Sequence, residues 1–186
     1  WPEGVSRDYE QTAWVGQVLL ASASAPGVAY ERFTPSGPAA LLPLPQGQVQ
    51  AGGPIGRRAA LVWCVQQADD PVRELNDAQR LTLLNTIFPD EVGTLRQVSP
   101  LKAFPLGLNA HRHLVSEGQV VRIGNAAQTL HPVAGQGFNL GMRDAHELLA
   151  ALKDQAWSTV DDDDARQMKV QRALRRFERR RQPDRL

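Results

Sequence analysis

A glycine-rich stretch near the middle of the second half of the chain could hold a cofactor. It reads RIGNAAQTLHPVAGQGFNLGMRDA over residues 122–145. An apolar strand is predicted to end at Gly124, and Gly135 and Gly137 stand directly before a predicted helix. A helix start offers unpaired backbone N–H groups and the positive end of a dipole, and glycines let a ligand approach the backbone. This arrangement can stabilise negative charge on a bound cofactor, although a lone GxG before a helix more often forms only a tight turn.

The complete string resembles the second flavin-binding motif of the FAD-dependent aromatic-ring monooxygenases, the para-hydroxybenzoate hydroxylase class. In that motif a Gly-Asp pair, a Pro and a GQG-N element surround the ribityl chain and the flavin ring. Here Asn125 stands in place of the Asp, and its amide keeps one acceptor for a hydroxyl while the negative charge is lost. The strings GNAAQTLHP and GQGFNLGMRD resemble the ubiquinone-biosynthesis branch, as do DYEQTA, YERFTPSGP, LLPLP, LVWC and AFPL in the same order. GQVQAGGPIGRR at residues 47–58 is a longer hairpin than this resemblance leads us to expect.

The resemblance implies an oxidoreductase that uses FAD, with NAD(P)H as reductant and dioxygen as the source of the oxygen atom added to a polyprenyl phenol. It implies contacts to the ribityl and pyrophosphate region from Gly124, Asn125 and Ala126. It implies that the isoalloxazine ring is lined by Pro132, Gly135, Gln136, Gly137 and Asn139. Phe104 and Leu106 are expected to face the substrate. No catalytic residue is assigned, and His131 is only a weaker candidate for a catalytic base.

Two elements of that family do not occur in these 186 residues: the N-terminal GxGxxG unit and the Asp-Gly element. The chain also begins with Trp1, so we expect a fragment of a longer flavoprotein. Residues 1–118 would form the substrate-binding sheet domain and residues 119–186 the C-terminal portion of the FAD-binding domain. Such a fragment should be inactive alone and hold no FAD, because most contacts to the cofactor would be missing. Two alternatives remain: another FAD-dependent hydroxylase or epoxidase of this class, and a non-redox module that binds a partner or a membrane.

Composition narrows the function classes further. Lys and Arg total 21 against 20 for Asp and Glu, a net charge of +1, so the whole-chain balance does not favour nucleic-acid binding. Cys64 is the only cysteine and is expected to be a small buried hydrophobe. No stretch reaches the roughly 18 apolar residues of a membrane-spanning helix, which favours a cytoplasmic protein, at most peripheral to a membrane. His111 and His113 alternate as neighbours on one strand face would, but no third ligand has convincing spacing and no metal is predicted.

The elements before residue 119 indicate an α+β fold. β-branched and aromatic residues between positions 8 and 21 predict one long strand or a strand pair. Asn76 or Asp77 should cap a helix that Pro89 ends. Further strands are predicted at residues 28–34, 59–65, 98–106 and 119–123. The result is a mainly antiparallel sheet covered by one helix.

Two helices are predicted after the glycine-rich stretch, as the C-terminal helical part of a Rossmann-like FAD-binding domain. Apolar residues of the first form one stripe: Phe138, Met142, Ala145, Leu149 and Leu152. This stripe should be exposed in a fragment and favour self-association. The second helix should run from Asp163 to Arg181, acidic at its start and basic at its end. The basic run at residues 172–185 predicts one packed and one solvated helix face, with membrane or nucleic-acid binding as the alternative. Arg143 and Asp144 are expected either to form structural ion pairs or to serve the cofactor.

Overall fold

The computed structural model describes residues 4–21, 27–45, 56–132, 135–160 and 162–185. The chain divides into two compact units, one of residues 10–106 and one of residues 1–9 with 107–186. The domain boundary expected after residue 118 stays a prediction. Most of the hairpin predicted at residues 47–58 lies outside the described residues.

The described chain contains nine strands and three α-helices. The strands are β1 (Gly4–Leu20), β2 (Tyr30–Thr34), β3 (Gly37–Pro43), β4 (Arg57–Gln66), β5 (Leu95–Val98), β6 (Lys102–His111), β7 (Val115–Ser116), β8 (Val120–Val121) and β9 (Gln128–Thr129). The helices are α1 (Asp77–Ile87), α2 (Gln136–Lys153) and α3 (Asp163–Arg181). The main sheet has the order β2-β3-β4-β1-β6-β9, β5 pairs with β1, and β7 with β8 forms a separate ribbon. Every described register is antiparallel, which confirms the α+β prediction.

The unit of residues 10–106 is an antiparallel sheet against which α1 packs. β1 pairs with β4 from Gln11 opposite Gln66 to Leu20 opposite Arg57. Apolar side chains from β1, β3, β4 and α1 meet in one core, including Val18, Leu41, Leu61, Trp63, Leu84 and Phe88. The predicted cap of α1 is confirmed, because Asn76 and Gln79 each accept the other's backbone N–H at 3.0 Å.

The strand predicted at residues 98–106 is two strands with a break at residues 99–101. Pro100 has no N–H to donate to a ladder, and it lies in the break. Beside it, the Ser99 amide donates to the Gln17 carbonyl at 2.8 Å, and the Ser99 hydroxyl accepts from the Gln17 amide at 2.9 Å. β6 then continues to His111, five residues beyond the predicted end.

The unit of residues 1–9 and 107–186 is built around the antiparallel pair α2 and α3. Its core comprises Leu114, Ala127, Ala151, Ala173 and Phe177. The predicted bounds of α3 are confirmed, and Asp162 caps it by accepting the Ala165 amide at 2.8 Å. The strand predicted at residues 119–123 is reduced to β8, which pairs with β7.

Ion pairs connect α2 with α3 along their length. Arg180 contacts Glu147 at 3.1 Å, and Arg176 contacts Asp154 at 2.7 Å. Leu174 and Phe177 of α3 are buried. The basic run of residues 172–185 therefore has one packed face, as predicted, and several of its arginines are engaged within the chain.

The apolar stripe of α2 lies largely on its exposed face. Phe138, Met142 and Leu149 are 76%, 57% and 52% exposed, while Leu152 packs against the core of this unit. The buried face of α2 instead carries Asp144 and Ala151. No helix within the described ranges is long and apolar enough to cross a membrane.

Candidate functional site

A tight backbone turn follows the short strand β8. Residues Gly124–Ala126 form one 3-10 turn, in which Gly124 has a φ of +56°. This left-handed conformation favours glycine because a Cβ would clash with the backbone. The Ala127 amide closes the turn by donating to the Gly124 carbonyl at 2.9 Å. Asn125 and Ala126 are exposed at its tip and can contact a ligand.

The turn rests directly on the backbone of α2. A Cβ built on Gly141 would lie 3.3 Å from Gly124 Cα, tighter than nine in ten Cβ contacts in proteins. The Gly124 amide also donates to Asp144 Oδ2 at 2.9 Å. Gly141 and Asp144 therefore set the position of the turn relative to α2.

Asp144 belongs to a buried ion pair. Its Oδ1 accepts a hydrogen bond from Arg181 Nε at 2.6 Å, and both side chains are almost fully buried. Burial alone would lower the pKa of Arg181, but hydrogen bonds to Asp144 and Asp184 outweigh it and raise that pKa. The Arg143 and Arg181 hydrogen bonds hold the pKa of Asp184 below its usual range. Of the two roles considered for Arg143 and Asp144, the structure shows the ion pairs.

The segment of residues 135–137, with Pro132 before it, is called the glycine loop here, and it leads into α2. The Gly135 amide donates to the Pro132 carbonyl at 3.0 Å, and Gly135 has the left-handed φ of +60° at the N-cap. Among the described residues, no side chain caps this helix start, and its first turn holds no acidic residue. Gln136, Gly137 and Asn139 are exposed. The first-turn N–H groups are thus available to a ligand.

Space is open at both loop glycines. No described atom outside the local backbone lies within 4 Å of a Cβ built on Gly135 or on Gly137. Gly137 also has no positive φ, so its backbone tolerates a side chain. Packing among the described residues therefore does not explain why position 137 lacks a side chain.

His131 lies just before Pro132 and is partly buried. Its ring meets Tyr9 edge-on, with the centroids 5.5 Å apart. Burial lowers the pKa of His131, which favours the neutral imidazole at neutral pH. A role as catalytic base stays untested.

The two residues expected to face a substrate lie in the other unit. Phe104 and Leu106 are two positions apart on β6 and therefore share one side of that strand. Phe104 is 49% exposed, and Leu106 is half-buried. The eight residues implied for the cofactor all belong to the unit of residues 1–9 and 107–186.

The surroundings of His111, His113 and Cys64 indicate structural roles for these residues. β6 ends at His111, so the alternation with His113 on one strand face was wrong. His113 Nδ1 lies 3.6 Å from Glu178, whose carboxylate accepts the Leu114 amide at 2.8 Å. Burial, with a smaller effect of Glu31, raises the pKa of Cys64 to about 11. Within the part of the chain that the structure describes, no group of three or more His, Cys, Asp or Glu could hold a metal ion.

Sequence reasoning missed Gly141 and Arg181 as parts of this site. Gly141 is one of two glycines inside the predicted helix, and a glycine there weakens a helix by up to about 1 kcal/mol relative to alanine. That cost was the available signal for a close backbone contact. Arg181 gave no signal, because it is one of many arginines at the end of α3.

Two proteins of similar sequence have names that refer to ubiquinone. The chain is 36% identical over 130 residues to "Ubiquinone hydroxylase UbiL" of Rhodospirillum rubrum, covering 67% of this chain and 28% of that protein. It is 31% identical over 183 residues to "Ubiquinone biosynthesis monooxygenase COQ6, mitochondrial" of Mus musculus, covering 86% and 38%. The chain therefore spans about a third of the length of these relatives.

A solved structure shares the fold. Klebsiella pneumoniae HpxO, described as complexed with FAD and uric acid, superposes with a TM-score of 0.57 at 22% identity. The match covers 94% of this chain and 41% of HpxO. At that identity the likeness concerns the fold alone.

The family described as FAD binding domain matches residues 12–162, a range that includes the turn at Gly124, the glycine loop and all of α2. The chain belongs to this FAD-binding domain family.

Proposed function

We propose that this chain forms the substrate-side sheet and the C-terminal part of the flavin site of an FAD-dependent monooxygenase. The proposed reaction is hydroxylation of a polyprenyl phenol in ubiquinone biosynthesis, with NAD(P)H and dioxygen. The motifs of the chain resemble those of 2-polyprenyl-6-methoxyphenol hydroxylase. The observation that carries the proposal is the start of α2 behind left-handed Gly135, which no described side chain caps, on the same helix that holds the Gly124–Ala126 turn in place.

The residues present fit a flavin. The first-turn N–H groups of α2 are donors without a side-chain competitor among the described residues. No described atom outside the local backbone lies within 4 Å of a Cβ built on Gly135 or Gly137, so a flat ring could approach the backbone there. The exposed Asn125 amide supplies an acceptor and donors suited to ribityl hydroxyls. FAD, when bound, would supply the activation of dioxygen with electrons from NAD(P)H.

The chain's own contribution would be binding and electrostatics. The positive end of the α2 dipole and its N–H groups would stabilise negative charge on the bound ring system. Gln136 and Asn139 would add polar contacts from the first turn of α2, and Pro132 would restrict the loop. Neutral His131 would place no second positive charge beside the ring at neutral pH.

The substrate side would come from the sheet. Phe104 and Leu106 present apolar surface on one side of β6, which suits a phenol ring with an apolar polyprenyl tail. Association with the surface of a membrane, where such a lipid resides, is part of this proposal.

The test uses the longer protein that contains this chain. The expected result is a yellow protein with bound FAD that oxidises NAD(P)H when a polyprenyl phenol is added and forms the hydroxylated phenol, identified by mass spectrometry. A panel of other phenols and alkenes distinguishes another hydroxylase or an epoxidase of the same class. A protein that binds no flavin under any of these conditions would contradict the proposal and favour a non-redox binding module.

A further inference from the structure

A continuous chain of polar groups joins the end of α3 to the turn at Gly124. Arg143 Nη1 and Arg181 Nη1 both donate to Asp184 Oδ2, the first at 2.9 Å. Arg181 Nε donates to Asp144 Oδ1, and Asp144 Oδ2 accepts the Gly124 amide. Each oxygen of Asp144 therefore has its own partner, and the guanidinium fixes the rotation that points Oδ2 at Gly124.

The burial of this pair distinguishes it from the other α2–α3 ion pairs. The side chains of Arg181 and Asp144 are 1% and 4% exposed, whereas those of Arg180 and Glu147 are 43% and 26% exposed. A buried pair often stabilises a protein no more than apolar residues of similar size would, because its charges must be desolvated. Its geometry can still select one backbone arrangement over another. Here the backbone group that it fixes is the Gly124 amide.

The position of Asp144 gives that selection a consequence for the site. Asp144 lies eight residues after Gln136, so the rigid helix α2 separates it from the open helix start by about 12 Å. The helix start and the Gly124 turn are the two parts of the proposed flavin site in this chain. The carboxylate of Asp144 holds the Gly124 turn at a fixed distance from the start of α2.

We infer that Arg181 is a positioning residue of the flavin site, acting through Asp144 on the Gly124–Ala126 turn without touching the cofactor. This inference rests on the proposed function for its final step. Its first step, control of the turn by Arg181, is independent of any cofactor.

The experiment compares Arg181→Met, Arg181→Lys and the control Arg180→Gln, which breaks an exposed ion pair between the same helices. The first readout is the hydrogen-exchange rate of the Gly124 amide by NMR in the 186-residue chain, relative to the core amide of Ala173. We expect at least a tenfold faster relative exchange in Arg181→Met, a smaller increase in Arg181→Lys and no change in Arg180→Gln.

The second readout is the dissociation constant of FAD in the longer protein that contains this chain. Arg181→Met should weaken FAD binding at least tenfold, with partial rescue in Arg181→Lys and unchanged binding in Arg180→Gln. If Arg181→Met does not fold, the double variant Asp144→Asn with Arg181→Met removes both buried charges and takes its place in both measurements.

The outcomes separate the two proposals. Unchanged exchange at Gly124 overturns the positioning role, whatever the cofactor does. Faster exchange with unchanged FAD affinity overturns the link between the turn and the flavin site while the proposed function stands. A wild-type longer protein that binds no FAD overturns the proposed function, and the exchange data still decide whether Arg181 controls the turn.

Discussion

A substitution at Gly137 can distinguish a glycine that is needed for contact with the cofactor from one that is needed only to form a turn. Replacing it with alanine adds a methyl group where no described atom outside the local backbone lies within 4 Å, at a helical position without positive φ. Alanine is favoured over glycine in a helix by up to about 1 kcal/mol, so the 186-residue chain should become slightly more stable. Chemical denaturation should show a higher midpoint with an unchanged slope.

The same methyl group should weaken FAD binding in the longer protein. If the ring approaches the backbone here, the added group overpacks the contact at a cost of about 1–3 kcal/mol, which is roughly 5- to 150-fold in affinity. Gly137→Val should cost more, since its branched side chain is larger and stiffer. Flavin fluorescence during FAD titration measures the affinity.

Gly141→Ala is the matched control on the same helix. Its Cβ would meet Gly124 Cα at 3.3 Å, so steric strain opposes the gain in helix propensity and the chain should not be stabilised. Opposite effects on stability and on FAD binding are expected only for Gly137→Ala. If Gly137→Ala left the FAD affinity of the longer protein unchanged, the assignment of the glycine loop to the flavin would be refuted.

Four further predictions concern the 186-residue chain itself. Titration with FAD should give no saturable fluorescence quenching at micromolar concentrations and no NAD(P)H oxidation, and either signal would show that this chain is sufficient for the site. The chain should self-associate in sedimentation experiments through the exposed stripe of α2, and Phe138→Ser should shift it toward the monomer, whereas the exposed control Val5→Ser should not. Burial raises the pKa of Cys64 to about 11, above the value near 8.5 of a thiol in an unfolded chain. The protonated thiol therefore contributes stability below about pH 8.5, and this contribution is lost as the pH rises toward 11. Cys64→Ala should flatten that part of the plot of unfolding free energy against pH, and an unchanged plot would exclude the thiol as its cause. Asn76→Ala should lower the free energy of unfolding by about 1 kcal/mol, because the cap of α1 is lost. Urea denaturation would measure this, with the exposed variant Asn125→Ala as control, and equal stabilities of the two variants would contradict the capping role.

Local signals made α1 and α3 predictable. Asn76 and Pro89 bracket α1 with a cap and a stop, and the acidic residues at Asp162–Asp164 mark the start of α3. The ends of the strands were harder to predict from the sequence. Whether residues 99–101 break a strand depends on the hydrogen bonds between Ser99 and Gln17, and these two residues are 82 positions apart in the sequence.

The candidate site divides in the same way. Its glycine turn and loop were recognisable from consecutive residues, and their backbone conformations agree with the reasons for glycine at Gly124 and Gly135. The buried pair of Asp144 and Arg181 joins positions 37 residues apart, and in the sequence Arg181 cannot be told from the arginines beside it. Which arginine enters the interior depends on the docking of α2 against α3, and helical periodicity alone does not determine that docking.

The bond between Asp144 and Arg181 also affects the order of events during protein synthesis. Gly124 leaves the ribosome 57 residues before Arg181, and elongation at 5–20 residues per second makes this delay roughly 3–11 s. Asp144 follows Gly124 by 20 residues, so over the last 37 residues of that interval the nascent turn has the carboxylate of Asp144 within reach but not the guanidinium that orients it. Maturation of this part of the molecule is therefore tied to completion of α3, and a ribosome that stalls between the two helices would release a turn without its anchor.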